Sequence, residues 1–336
     1  MSSQRPEFED DDDSEPALRT RESESLLLPW LRLMRLPNVF TALADVTMGF
    51  LFVRHSLEPL SAFACLAAAS ALMYTAGMVL NDVFDIDIDR EERPERPLPS
   101  GAISLAVARG FGFTLLALGV MLGWIAGLVL GPNAAAPWRS GLVATLLAAF
   151  VVLYDVWLKR TPLGPIGMGL CRFANVLLGM SLATEAAADW PLGYGPGELL
   201  AAGGIGIYIT GVTWFARNEV EESASLPLLG AIGVMIAGGV LLAASVLQTP
   251  LQFQIREPLH FVLLIALMMA TVLRRALVAV ADPSSRNVQL AVKHSILSLI
   301  WLDAAIIAAV APIPYSIGVA ALLIPALLLG RWVYST

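Results

Sequence analysis

Charge is scarce in this chain. Asp, Glu, Lys and Arg make up 15% of its 336 residues, against roughly 25% in soluble domains. Cysteine is scarcer still. Cys65 and Cys171 both lie in apolar stretches, which leaves no disulfide framework and no cysteine-based metal spacing. The N-terminus is polar and acidic rather than basic then apolar, so no secretory signal peptide is expected. No polar stretch is long enough for a soluble domain, and with a net charge of -7 no nucleic-acid partner is expected. What remains is apolar: 57% hydrophobic residues and a mean hydropathy of +0.71.

The scarce charge is unevenly placed. Glu7–Glu15 reads EFEDDDDSE, a run that repels itself and is expected to stay disordered. Residues 1–28 are therefore read as an acidic tail and 29–336 as one transmembrane domain. A bilayer core needs about 20 mostly apolar residues per helix. Apolar stretches run at 36–54, 60–84, 104–130, 138–157, 164–184, 197–217, 226–247, 258–281, 291–311 and 314–332. These ten predict an all-α polytopic bundle, or nine crossings if one stretch is short or re-entrant. With a cytoplasmic N-terminus, Arg90, Arg93, Arg96, Lys159, Arg160, Arg217, Arg274, Arg275, Arg286 and Lys293 fall at cytoplasmic loops, and only Arg54, Arg139 and Arg256 fall opposite. That bias follows the positive-inside rule.

The loop after the second stretch opens NDVFDIDIDREERPERPLPSG, residues 81–101. On a helix, Asn81, Asp82, Asp85 and Asp89 fall within an arc of about 100°, and Asp87 points elsewhere. Three carboxylates this close repel and call for a cation. Oxygen-only ligands suit Mg²⁺ shared with substrate phosphates. The bland alternative is a solvated helix end; a calcium loop is excluded by register. Arg93 and Arg96 follow as candidate phosphate ligands, or as positive-inside anchors. Pro94, Pro97 and Pro99 stiffen the loop, as a substrate lid requires.

Three further segments carry polar residues of interest. Lys159 and Arg160 in YDVWLKR are a second pair of phosphate-binding candidates, or interface anchors. Arg172 and Asn175 lie inside an apolar helix, where charge is costly and faces a cavity or the bundle interior; Asn175 is equally suited to helix–helix glue. In TWFARNEVEESAS, residues 213–225, Glu219, Glu222 and Ser223 form a second oxygen cluster, on the same side as the first by loop parity. Asp45, deep in the first stretch, and Asp155 are candidate bases or acceptor contacts, although Asp155 is also placed to pair with Lys159.

Together these segments resemble the UbiA family of intramembrane prenyltransferases. The motif NDxxDxxxD is met in full by Asn81, Asp82, Asp85 and Asp89, and RPLPSG at 96–101 continues it. LRLMRLPNVFTALADVTMG at 31–49 resembles the family's first helix and brings in Asn38 and Asp45. The segment ending at Lys159 and Arg160 matches as well. The second motif departs, with Glu219 and Ser223 where the family shows aspartates. The resemblance implies a UbiA-like bundle around a central cavity and transfer of a prenyl group from a Mg²⁺-bound prenyl diphosphate. The acceptor would be aromatic or another lipophilic small molecule, reached within the membrane lipid. It implies metal ligation by Asn81, Asp82, Asp85, Asp89, Glu219 and Glu222 on the cytoplasmic side. It implies diphosphate binding by Arg93, Arg96, Lys159, Arg160, Asn38 and Asn175, with catalytic roles for Asp45 and Arg172. Two rivals stay open: a lipid or small-solute transporter, for which Asp45, Arg172 and Asp303 inside apolar stretches speak, and a non-catalytic prenyl-lipid binder of the same fold.

Overall fold

The structure, a computed structural model, describes residues 27–131, 133–217, 225–248, 255 and 257–332. The acidic tail, Glu219, Glu222, Ser223 and Arg256 lie outside the described residues. The described elements are helical: α1 (Leu27–Leu33), α2 (Val39–Arg54), α3 (Leu60–Phe84), α4 (Ile86–Glu92), α5 (Leu105–Leu128), α6 (Arg139–Val156), α7 (Gly164–Met180), α8 (Pro196–Arg217), α9 (Ser225–Leu247), α10 (Pro258–Ala281), α11 (Ser285–Val310), α12 (Ile313–Ala321) and α13 (Leu323–Trp332). A single 3₁₀ turn, Leu36–Asn38, leads into α2.

Among the described residues, nine helical stretches are long and apolar enough to cross a membrane. The protein is an integral, multi-pass membrane protein. Helix α7, with 17 residues, falls just short of that length, yet its two ends meet opposite ends of α6. It begins beside the Leu158–Arg160 turn that closes α6, and after its last turn Ser181 O accepts from Arg139 Nε, at the start of α6, at 2.9 Å. At 1.5 Å per residue it is long enough to complete a tenth crossing. The last apolar stretch is one crossing broken at Leu322. Pro325 lacks the N–H that would bond the carbonyl of Ala321. Helix α11 starts at Ser285, earlier than the expected 291, because a polar turn extends the apolar helix.

Lipid removes most of the hydrophobic drive between helices, so close backbone approach holds the bundle together. The tightest crossing is α2 on α7. A Cβ on Gly49 would collide with Val176 O, and one on Gly179 with Val46 O. This reciprocal contact brings Asp45 of α2 over Arg172 and Asn175 of α7. At the opposite end of the bundle from the acidic motif, the Arg139 guanidinium is fully buried. It donates to Ser181 O and Gly193 O and stacks on Tyr194 at 4.6 Å. Burial pushes the Tyr194 phenol up, so the contact is a cation over a neutral ring. Arg139 is thus a clamp on the loop after α7 rather than an interface anchor.

The ends of α3, α6 and α8 share one face. Arg217 Nη1 donates to Thr161 O at 2.6 Å, and Lys159 Nζ reaches Asn81 O at 3.3 Å. The proline-rich loop after α4 folds back onto this face. Leu98 and Ile103 are buried against Leu33, Val79, Val83 and Ala108, and Ser104 caps α5 by accepting from Val107 N.

Gly179→Leu is expected to lower stability by about 1–3 kcal/mol through overpacking. Gly203→Ala in α8, where nothing lies within 4 Å of the new methyl, is expected to be neutral or slightly stabilising. Thermal unfolding of the detergent-solubilised protein checks both.

Candidate functional site

The acidic motif sits where α3 passes into α4. The α-helix breaks at Asp85, but Asp85 N still bonds Asn81 O at 3.0 Å and Asp89 N bonds Asp85 O at 2.8 Å. The helical register therefore persists through the bend and keeps Asn81, Asp82, Asp85 and Asp89 together. Asp87 faces away, its side chain 89% exposed and paired with Arg90.

Each of the three carboxylates meets a cation. Arg96 Nη1 lies 2.8 Å from Asp89 Oδ2 and 3.6 Å from Asp82 Oδ1. Arg35 Nη2 lies 2.9 Å from Asp82 Oδ1. Lys159 Nζ lies 2.8 Å from Asp85 Oδ2 and 3.3 Å from Asn81 Oδ1. Arg160 Nη2 lies 3.4 Å from Asp85 Oδ1 and donates to Phe84 O at 2.8 Å. Four cations thus enclose three carboxylates at the edge of the apolar slab. Arg93 does not join them: it is exposed and has no ion pair to the motif. The helix ends at Glu92, and the chain leaves helical geometry at Arg93, whose side chain is exposed.

Arg35 carried no signal in the sequence. It precedes the apolar stretch and reads as an ordinary interface cation. Its backbone is left-handed, φ 46°, a conformation costly for a non-glycine residue. The Asp82 ion pair holds the side chain that this turn presents.

Behind the motif lies a cavity of about 170 Å³. Arg35, Asn81, Tyr74, Tyr154, Asp155 and Arg172 supply polar lining, with Met73, Met78, Leu147 and Val151 among the apolar walls. At its inner end Arg172 Nη1 bonds Asp45 Oδ2 and Nη2 bonds Thr41 Oγ1, both at 2.7 Å. The guanidinium lies 5.3 Å from the Tyr74 ring centroid. Ser70 Oγ donates to Asn175 Oδ1 at 2.7 Å, and Asn175 Nδ2 donates to Ala42 O at 3.0 Å. Asn175 therefore both glues α7 to α2 and faces the cavity.

Two expected roles change. Asp45 is fully buried and does not line the cavity; it pairs with Arg172 from the far side of the guanidinium's cavity face. Asn38 does not line the cavity either; its side chain approaches the Tyr74 hydroxyl instead. Asp303 is fully buried with its carboxyl group against that of Asp45, and among the described residues no other side chain pairs with it. The three charges that favoured a transporter thus form one packed cluster against the cavity wall. The second cluster, Glu219 and Glu222, lies outside the described residues, but Arg217, at the end of α8, stands on the same face as the motif.

The site is thus a carboxylate–cation lattice at the mouth of a part-polar cavity in a polytopic helical membrane protein. The model of the UbiA prenyltransferase family matches residues 42–297. The chain belongs to that family. It is 34% identical over 171 residues to the digeranylgeranylglyceryl phosphate synthase of Ignicoccus hospitalis, covering 50% of each chain. The synthase of the same name from Methanoculleus marisnigri is 32% identical over 155 residues, 46% of this chain and 51% of that one. The chain spans about half the length of these curated relatives. Among solved structures, a digeranylgeranylglyceryl phosphate synthase matches with a TM-score of 0.56 at 24% identity, covering 85% of this chain and 98% of that one. A UbiA homolog from Archaeoglobus fulgidus bound to DMAPP and Mg²⁺ matches with a TM-score of 0.51 at 15% identity, over 81% and 98%. These likenesses show the fold.

Breaking the buried pair is expected to cost on the order of 3–5 kcal/mol, since one charge is left uncompensated. Asp45→Leu and Arg172→Leu should each lower the unfolding temperature in detergent, and the double variant should recover part of the loss. A double variant no better than the worse single one would refute this reading of the pair.

Proposed function

We propose that this protein transfers a prenyl group from a Mg²⁺-bound prenyl diphosphate to a lipophilic acceptor inside the membrane, with the acidic motif on the cytoplasmic side. The observation that carries the reading is the lattice at the cavity mouth. Asn81, Asp82, Asp85 and Asp89 are four oxygen-bearing side chains on one continuous helical register, which is the donor chemistry that Mg²⁺ takes at a phosphate site. Arg35, Arg96, Lys159 and Arg160 already surround them. The charges are arranged for an exchange of partners. A Mg²⁺ ion held by Asn81, Asp82, Asp85 and Asp89 would neutralise the carboxylates, leaving Arg35, Arg96, Lys159 and Arg160 to bind the diphosphate oxygens.

Bound Mg²⁺ supplies charge neutralisation for a diphosphate leaving group. The chain's own residues do the rest. Arg96 and Lys159 stabilise the charge that grows on the departing diphosphate. The cavity walls exclude water from the allylic cation. Tyr74 and Tyr154 line the same cavity, and aromatic rings are suited to hold that cation. Arg172, fixed by Asp45 and Thr41, places a cation at the inner end, where a polar or anionic acceptor head is received.

For the acceptor, the relatives' name denotes a glyceryl phosphate lipid bearing two geranylgeranyl chains. It favours a glyceryl phosphate lipid hydroxyl over an aromatic ring. The Archaeoglobus homolog bound to DMAPP and Mg²⁺ supports the same donor and metal here. The ten-against-three distribution of basic residues supports the cytoplasmic placement.

Labelled geranylgeranyl diphosphate should bind the purified protein with Mg²⁺ and lose binding with a chelator. Asp85→Ala should lower prenyl transfer by roughly 100-fold or more. Unchanged binding and transfer in that variant would show that the motif does not hold the substrate.

A further inference from the structure

Asp155 is a buried carboxylate that the metal and diphosphate reading leaves unused. It lies on the last turn of α6, is 2% exposed, and lines the cavity. Its Oδ2 is sealed from solvent and has no hydrogen-bond partner. Such a group is costly to keep without a task.

The expected partner is Lys159, one turn further on, but Lys159 is spent elsewhere. Its ammonium has three donors, and it has three acceptors: Asp85 Oδ2 at 2.8 Å, Asn81 O at 3.3 Å and Asn81 Oδ1 at 3.3 Å. Arg35 and Arg160 are likewise held by Asp82 and Asp85. Among the described residues no ion pair or hydrogen bond joins the Asp155 side chain to any cation, nor to Asn81, Asp82, Asp85 or Asp89. The titratable and charged groups that face it are Asp82 from α3, Asp85 at the α3–α4 bend, Arg35 from the entry turn, Lys159 and Tyr154 on its own segment, and Cys171 from α7. It therefore stands one step inward from the metal-binding face, in the cavity that Asn81 and Arg172 also line.

We propose that Asp155 is the catalytic base that receives the proton of the acceptor hydroxyl. This rests on the prenyl-transfer reading and adds a residue to it. The bond between the prenyl C1 and the diphosphate oxygen breaks, and its electron pair leaves with the diphosphate. The acceptor oxygen forms the new bond to C1. The proton that this oxygen must shed passes to Asp155, which later returns it to solvent or to the departing diphosphate. No oxidant or further reactant is needed. A base is required here because the dry cavity that protects the cation also removes bulk water as a proton acceptor.

The test uses the full chain in detergent with Mg²⁺, geranylgeranyl diphosphate as donor and geranylgeranylglyceryl phosphate as acceptor. Asp155→Asn should bind the donor within threefold of wild type. It should lose transfer by roughly 100-fold or more in kcat with little change in KM, and the acid limb of the wild-type pH profile should vanish. Transfer within threefold of wild type at every pH overturns the proposal. So does a folded variant that has lost donor binding, which would assign Asp155 to the diphosphate site. Asp155→Ser, also unable to take the proton, carries the test should Asp155→Asn not fold. A wild-type protein that binds the donor yet does not prenylate this hydroxyl overturns the base assignment and leaves the diphosphate site standing. Absence of Mg²⁺-dependent donor binding overturns the prenyl-transfer reading itself.

Discussion

A carboxylate at the margin of a hydrocarbon slab must be answered by a cation, and the structure is organised by that requirement. In this low-dielectric setting an unpaired charge is costly, while a paired one is held firmly. The turn that presents Arg35, the short Leu158–Arg160 turn and the folded-back proline loop all end by delivering a cation to Asp82, Asp85 or Asp89. The same rule, applied deeper, fixes Arg172 against Asp45 across the α2–α7 crossing. That crossing exists because Gly49 and Gly179 let two backbones touch.

This arrangement separates two kinds of charge. Those at the mouth are paired in a lattice, which the proposed Mg²⁺-diphosphate would take apart by supplying better partners to both sides. The Asp45–Arg172 pair is sealed by close-packed backbone, and its task is to hold a guanidinium in place. Asp155 belongs to neither group, since its neighbours' donors are already taken. In the proposed reaction, binding at the mouth and chemistry in the cavity thus use different residues.

Much of the fold was legible in the sequence because lipid imposes long apolar runs. The stretch 258–281 was read to the residue, and α5 and α6 lie within two residues of their expected ends. The break at Leu322 and the early start of α11 were not foreseen, since one depends on a single missing N–H and the other on a polar extension of an apolar helix. The motif face was legible because Asn81, Asp82, Asp85 and Asp89 repeat at helical spacing, and the register survives the bend. Arg93 and Arg96, three residues apart in one loop, looked equivalent; the backbone turn after α4 sends one to solvent and the other to Asp89. Asp45 looked catalytic for being charged in lipid, yet helix rotation turns it away from the cavity. Arg35 was invisible because nothing local distinguishes a lattice cation from an interface anchor. Glu219 and Glu222 lie outside the described residues.

The most direct measurement of the central claim is an experimental structure of the protein with Mg²⁺ and a non-hydrolysable geranylgeranyl thiolodiphosphate. The partner-exchange account predicts metal density on Asp85 and its motif neighbours. It also predicts Arg96 and Lys159 withdrawn from the carboxylates onto the diphosphate oxygens, with the prenyl chain entering the cavity past Tyr74 and Tyr154. A diphosphate bound elsewhere, with the Arg96–Asp89 and Lys159–Asp85 pairs intact, would contradict it.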